Sequence, residues 1–298
     1  MIFNSKEKKI LTDQVKTALI EDQVMDDLTC RAIKIQNKSI AKVIFKESGI
    51  LCGKYWVDEV FKIIDKKVKI KWHYKDGDHI KKGNKIATVT GNGVSILKGE
   101  RVALNYLQTL SGISTIVKRY KDCLRNKKIK LLHTRKTVPG LRNAISYACE
   151  IMGCNAHRYD LSKSILIKEN HLRLIKDLDN YLTKVKKFKK PIIMEARNLN
   201  DVKRANKYNL DRILLDNFTL TQIKKAIKIT NKIPIEISGN INIKNIRKYA
   251  IPGVSYISIG ALTKNIKAID VIKKYIGSIM PSKPAIIFIY IILTFKIN

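Results

Sequence analysis

Six apolar runs in the second half of the chain end on a residue suited to holding an anion or a metal ion: KLLHT at Thr134, ILIK at Lys168, PIIME at Glu195, RILLD at Asp216, IPIEIS at Ser238 and YISIG at Gly260. Arg135 and Lys136 follow the first run directly, and Gly239 follows Ser238. If the runs are parallel strands of one barrel, their C-terminal ends share a rim, where such folds gather their chemistry. Two carboxylates among several cations suit Mg²⁺, which takes one or two protein carboxylates and leaves its other positions to phosphate oxygens and water. Glycine beside serine lets backbone N–H groups approach a phosphate closely. The combination points to a phosphoribosyl or other sugar-phosphate substrate. Taken singly, Arg135 and Lys136 read as surface charge, and Glu195 and Asp216 as strand-end or salt-bridge partners; their joint placement argues for a site. His157 and Arg158 fall in a loop, where a histidine is easily a ligand group. His171 reads equally as a structural hydrogen-bonding residue, and His73, His79 and His133 have no arguable partner. Cys149 and Cys154 read as packing residues, because nothing marks a base for either.

The elements that must position these groups follow from periodicity. Glu195, Asp216, Ser238 and Gly260 are separated by 21, 22 and 22 residues, a strand-plus-helix period with no room for extra strands. That spacing predicts a parallel (β/α) barrel, complete or incomplete, with an open doubly wound sheet as the alternative. The first hundred residues read as an α+β unit: a helix over 5–19, a strand over 41–45 and a helix over 55–64. KDGDHIKKGNKIATVTGNG (75–93) reads as successive hairpins. A long helix from Ser95 carries ERVALNYLQTLSGISTIVKRY, and the texture changes after it. The expected domains are 1–110 and 111–276, with the segment 277–298 packing on the first. Its apolar run AIIFIYIILTF (285–295) spans about 16 Å as a helix, short of the roughly 30 Å hydrocarbon core.

Composition bounds the function. The chain has 298 residues and a formal charge of +34, ordinarily the footprint of a nucleic-acid binder. Of its 59 basic residues, however, 47 are lysine and 12 arginine, and isoleucine and asparagine are also abundant. All three abundant types have A/T-rich codons, so the lysines read as solvated surface, and neither a specific nucleic acid nor a membrane is expected as a partner. The five cysteines stand singly, without a CxxC pair. The first twenty residues place lysines where a signal peptide needs an apolar core, so a cytoplasmic location is expected.

At this point the runs ERVALNYLQTLSGIST (100–115), HTRKTVPGLR (133–142), HRYDLSKSILIKENH (157–171), ILLDNF (213–218), EISGNI (236–241) and ISIGALT (257–263) closely resemble the nicotinate-nucleotide pyrophosphorylase, or quinolinate phosphoribosyltransferase, family. The resemblance extends from Glu21 and Asp22 to about Ile276. It implies an α/β protein with an N-terminal α/β sandwich and a C-terminal degenerate (β/α) barrel, working as a homodimer or an assembly of dimers. The implied reaction is decarboxylating phosphoribosyl transfer to quinolinate in NAD synthesis. Residue by residue, the resemblance implies that Arg135, His157 and Arg158, with Arg101 donated by the neighbouring subunit, hold the two quinolinate carboxylates. Lys136, Lys168, Ser238, Gly239 and Gly260 are then the phosphoribosyl pyrophosphate contacts. Glu195 and Asp216 form the acidic pair near the ribose and Mg²⁺, directly or through water, and with Lys136 make up the expected catalytic set. Departures from the family pattern are His133, Asp26, Met152, Cys154, Ala156, Ile193, Asn240, Lys264 and Asn265; Asn240 falls on a phosphate-binding turn and Ala156 beside His157. The competing readings are a same-fold paralogue of the molybdenum-transport type acting on another acid, a decayed copy, and a basic nucleic-acid binder.

Overall fold

The helix Ser5–Glu21 is the first element of the computed structural model, which describes residues 3–33, 37–124, 128–230 and 232–279. Asn4 caps it: its side chain accepts from the Glu7 N–H at 3.0 Å, and Glu7 accepts from the Asn4 N–H at 2.9 Å, satisfying two otherwise free donors. Leu11, Val15 and Leu19, spaced four apart, form its buried stripe. This helix packs on the helix Lys54–Ile64, and Trp56 Nε1 donates to Gln14 Oε1 across the contact at 3.0 Å.

Five strands belong to this first half: β1 (Lys38–Phe45), β2 (Gly49–Ile50), β3 (Lys69–Trp72), β4 (His79–Ile80) and β5 (Lys85–Asn92). β1 buries Ser39, Ala41, Val43 and Phe45 and leaves the alternate residues partly exposed, the period of a strand with one face on a core. The turns expected in 75–93 form, but their strands find partners elsewhere: β4 pairs with β2, and β5 lies between β1 and β3, all antiparallel. The helix Gly93–Leu124 then runs 32 residues, about 48 Å, without a break at the boundary expected at 110. At its middle, a Cβ on Gly112 would lie 2.1 Å from the Lys267 carbonyl oxygen, so only glycine lets that later backbone lie on the helix.

The second half supplies β6 (Lys130–His133), β7 (Asn155–Ala156), β8 (Ile165–Ile167), β9 (Ile192–Ala196), β10 (Arg212–Asp216), β11 (Ile235–Ser238) and β12 (Val254–Ile259). All neighbours are parallel, in the order β7-β6-β12-β11-β10-β9-β8. Because β12 returns to β6 while β7 and β8 stand at the two ends, the strands follow chain order around a barrel open at one seam. This is the incomplete barrel that the spacing predicts. Register fixes the two faces. Ile193 lies opposite Arg212, Leu214 opposite both Glu195 and Glu236, and Asp216 opposite Ser238, so these residues share the inner face. Residues of the other parity, such as Met194, Ile213, Leu215 and Ile237, join the large core under the outer helices. Inside the barrel, Leu166, Ile193 and Leu214 make a separate apolar cluster.

The barrel boundary expected at 276 is corrected. β13 (Val271–Ile279) pairs antiparallel with β1, Phe45 opposite Val271 and Lys38 opposite Ile279, and so completes the first sheet in the order β13-β1-β5-β3. The strand is disguised in VIKKY because a lysine occupies a buried position: the Lys273 side chain is only 3% exposed and pairs with Glu100. The apolar run 285–295, expected to pack on the first half, lies outside the described residues. Among the described residues, no helix is long and apolar enough to cross a membrane.

Candidate active site

The strand ends meet as expected. After β6 the chain turns tightly, with the Thr137 N–H donating to the Arg135 carbonyl at 3.0 Å and the Lys136 N–H to Thr134 Oγ1 at 3.2 Å. This turn sets Arg135 and Lys136 on the rim, and Lys136 leans toward Gly260, where an added Cβ would stand 3.4 Å from Lys136 Cδ. After β7 the His157 N–H donates to the His133 carbonyl at 2.9 Å, continuing the pairing with β6. Burial pulls the Arg158 guanidinium below its usual value, and the charge of Arg135 adds to the effect. Two like charges are thus held together and partly desolvated, which suits a polyanionic ligand. Arg135 Nε and His157 Nε2 are both buried without a hydrogen-bond partner. In a folded protein such orphaned polar atoms ask for an occupant.

Across the rim, Lys168 Nζ lies 3.8 Å from Glu195 Oε2. Burial pushes the Glu195 carboxyl up; Lys168 opposes this and Asp216 reinforces it, which places the two carboxylates within electrostatic reach of each other. No group of three or more His, Cys, Asp or Glu side chains able to hold a metal occurs among the described residues. A pair of carboxylates fits Mg²⁺ whose remaining positions come from substrate phosphate and water, the usual manner of that ion. Ser238 and Gly239 follow at the end of β11. Gly239 has φ +97°, and a Cβ there would meet Asn217 Oδ1 at 2.2 Å and Asn217 N at 2.8 Å. Asn240, the departure on this turn, adopts φ +51°, a left-handed conformation that asparagine tolerates better than most residues, so the backbone turn is kept. A cavity of about 230 Å³ opens beside Glu195, lined also by Arg173, Arg197 and Arg204; Glu169 bridges Arg173 and Arg197.

Not every candidate comes to the rim. Arg101 is exposed on the helix Gly93–Leu124, and no hydrogen bond or ion pair among the described residues ties it to the strand ends. His171 serves its own helix, its Nδ1 accepting from the Lys168 N–H at 3.1 Å. His133 finds partners that the sequence does not announce, Glu150 at 3.5 Å and the edge of Tyr159. Cys149 and Cys154 are fully buried, and the Cys149 thiol is pushed well up by its hydrogen bond with Cys154 and by burial, as packing residues should be. Sequence reasoning missed Glu236, Arg212 and Tyr256 inside the barrel and Asn217 beneath the rim. A lone carboxylate at an inward position of IPIEIS was the available signal.

Fold and rim together define a class: an α/β-barrel enzyme handling polyanionic substrates. The family models agree. Residues 27–111 match the quinolinate phosphoribosyl transferase N-terminal domain and residues 113–273 its C-terminal domain. The chain belongs to the quinolinate phosphoribosyltransferase family. It is 35% identical over 285 residues to quinolinate phosphoribosyltransferase (decarboxylating) 2b, mitochondrial, of Nicotiana tabacum, covering 88% of this chain and 81% of that protein. It is 33% identical over 256 residues to the probable nicotinate-nucleotide pyrophosphorylase of Bacillus subtilis, covering 85% and 89%. The structure of the nicotinate-nucleotide pyrophosphorylase from Francisella tularensis superposes with a TM-score of 0.85 at 37% identity, covering 90% of this chain and 96% of that one.

Proposed function

We propose that the rim transfers a phosphoribosyl group from phosphoribosyl pyrophosphate to quinolinate with decarboxylation, giving nicotinate mononucleotide, pyrophosphate and CO₂, the step that feeds NAD synthesis. The observation that carries the reading is the Arg135–Arg158 pair beside the unpartnered His157 Nε2, a cationic cluster made for a small dianion. Guanidinium forks match carboxylates in bidentate fashion, so the pyridine dicarboxylate is gripped and oriented there. Lys136 and Lys168 take the donor's phosphates, with the backbone at Ser238, Gly239 and Gly260 approaching closely.

Loss of pyrophosphate leaves positive charge on the ribose C1 carbon, and the quinolinate nitrogen attacks it. Glu195 and Asp216 stabilise that charge from one side while Lys136 and Lys168 receive the leaving group, both by preorganised electrostatics. Mg²⁺, held at Glu195 and Asp216 directly or through water, would supply further neutralisation of the pyrophosphate. The ribosylated nitrogen is positive, so the carbanion left at C2 when CO₂ departs is stabilised by its neighbour until it takes up a proton from water, giving nicotinate mononucleotide. Arg101 is assigned to the neighbouring subunit's pocket in a homodimer, which fits its exposure and its lack of a tie to its own rim. Five free cysteines support a reducing compartment, and the cytoplasm is our assignment.

The experiment uses quinolinate labelled at its C2 carboxylate. With Mg²⁺ and phosphoribosyl pyrophosphate, labelled CO₂ should appear in step with nicotinate mononucleotide. Nicotinate should be a poor substrate, because it leaves part of the arginine cluster unpaired at a cost of about 3–5 kcal/mol. Equal use of nicotinate, or nucleotide formed without CO₂, would rule this reaction out.

A further inference from the structure

The barrel interior holds a charged network in which Glu236, Arg212 and Tyr256 have no role among the rim assignments. Glu236 is fully buried in β11, where an unpaired carboxylate is strongly disfavoured. Two partners meet it. His157 Nδ1 lies 2.8 Å from Oε1 and 3.1 Å from Oε2, and Arg212 Nη1 lies 2.7 Å from Oε2. Arg212 also stacks on Tyr256, its guanidinium carbon 4.0 Å from the ring centroid, so β10, β11 and β12 each contribute one member of a clamp. Burial alone would push the Glu236 carboxyl up, but the hydrogen bonds and charges of His157 and Arg212 outweigh it and hold the group below the usual carboxylate range. An ionised carboxylate only accepts, so His157 Nδ1 must carry a proton and donate it. Nε2, at the far edge of the ring, is buried and has no partner.

We infer that Glu236 is a positioning residue that turns His157 into a donor to the substrate. A neutral ring protonated at Nδ1 would offer only a lone pair from Nε2, which repels a carboxylate. Binding a carboxylate at Nε2 requires a second ring proton, and Glu236 at Nδ1 then gives the ring a charged acceptor at each edge. His157 then lies between two carboxylates, one from Glu236 and one from the substrate, while Arg212, pinned on Tyr256, balances the extra negative charge. The inference rests on quinolinate being the substrate, as proposed above.

The test is Glu236→Gln in the full chain. Glutamine keeps the size and one acceptor but removes the charge. The expected result is a quinolinate KM raised on the order of tenfold to a hundredfold with the KM for phosphoribosyl pyrophosphate nearly unchanged, and a lower thermal midpoint, because Arg212 loses its charged partner. Spectra of protein carrying ¹⁵N-histidine supply a second readout: with quinolinate bound, the His157 ring should be protonated on both nitrogens in the parent and on one in the variant. If Glu236→Gln does not fold, Arg212→Met carries the test; it leaves the Glu236–His157 bond but loosens the carboxylate, and a smaller loss selective for quinolinate is expected. Equal losses for both substrates, or an unchanged quinolinate KM in a folded variant, overturn the inference. If the parent turns over no quinolinate yet Nδ1 protonation of His157 still depends on Glu236, the positioning role stands and the substrate assignment falls.

Discussion

Asn240 donates its side-chain amide to Asn217 Oδ1 at 3.1 Å, tying the turn after β11 to the turn after β10. Asn217 passes the contact on, its own amide donating to Asp216 Oδ2 at 3.1 Å. Both asparagines are left-handed, with φ of 58° at Asn217 and 51° at Asn240. A departure from the family pattern on the turn after β11 is therefore also a brace for the carboxylate at the end of β10.

Replacing Asn240 separates the two roles. Asn240→Gly relaxes the left-handed backbone but loses the bond to Asn217; Asn240→Ala loses the bond and keeps the strain. The alanine variant should be less stable than the glycine variant by about 1 kcal/mol, read as a lower unfolding midpoint. Both should raise the KM for phosphoribosyl pyrophosphate more than that for quinolinate. Equal midpoints would mean that the turn relaxes away from the left-handed region.

Gly239→Ala attacks the same point from above. Its Cβ would fall on Asn217, backbone nitrogen included, so Asn217 and with it Asp216 must shift. Misplacement of a reacting group by about an ångström costs on the order of a hundredfold, and that loss is expected in kcat/KM. A near-normal value would remove Asp216 from the catalytic step.

The raised Glu195 carboxyl gives a pH dependence with a definite sign. A folded-state value above the unfolded one means full stability below the ordinary carboxylate range, lost as pH rises through the raised value. Glu195→Gln, neutral throughout, should therefore unfold at a higher temperature than the parent at neutral pH and at a similar one below the ordinary carboxylate range, while losing activity. Differential scanning calorimetry across that range is the check. A lower midpoint at neutral pH would show that the Lys168 pair outweighs burial.

Arg135→Lys keeps the charge and loses the fork. Quinolinate KM should rise on the order of tenfold or more, with donor KM little changed. Steady-state kinetics varying each substrate in turn distinguish this from a general loss of charge at the rim, which would move both.

The proposed donation of Arg101 across a dimer interface can be tested by mixing. Arg101→Ala and Asp216→Ala should each be nearly inactive alone, whereas a mixture allowed to exchange subunits should recover activity, because some dimers then carry one intact site. No recovery despite demonstrated exchange would return Arg101 to its own subunit's site or remove it from catalysis.

Much of the rim was legible because parallel strands buried on their outer face read as apolar runs, and the residue ending each run is the one that reaches the rim. Thr134, Lys168, Asp216, Ser238 and Gly260 were found in this way. β7 was not: Asn155–Ala156 is two residues long and has no period of its own. Glu236 and Arg212 escaped for a different reason. Their meaning depends on parity and cross-strand register, so a buried ion pair between neighbouring strands leaves only single polar letters in each. Lys273 hid β13 in the same manner, since its partner Glu100 belongs to a helix far earlier in the chain.

The pairing of β1 with β13 has a consequence for how the protein is made. β1 is among the first strands to leave the ribosome, yet the neighbour that covers one of its edges is synthesised only after the entire barrel. Until then that edge is an unpaired row of N–H and C=O groups, open to wrong partners. Contacts so distant in sequence close late and slowly, so vectorial synthesis cannot finish the N-terminal half first. The first sheet acts as a seal set last, and a nascent chain stalled within the barrel should be the species most dependent on a chaperone.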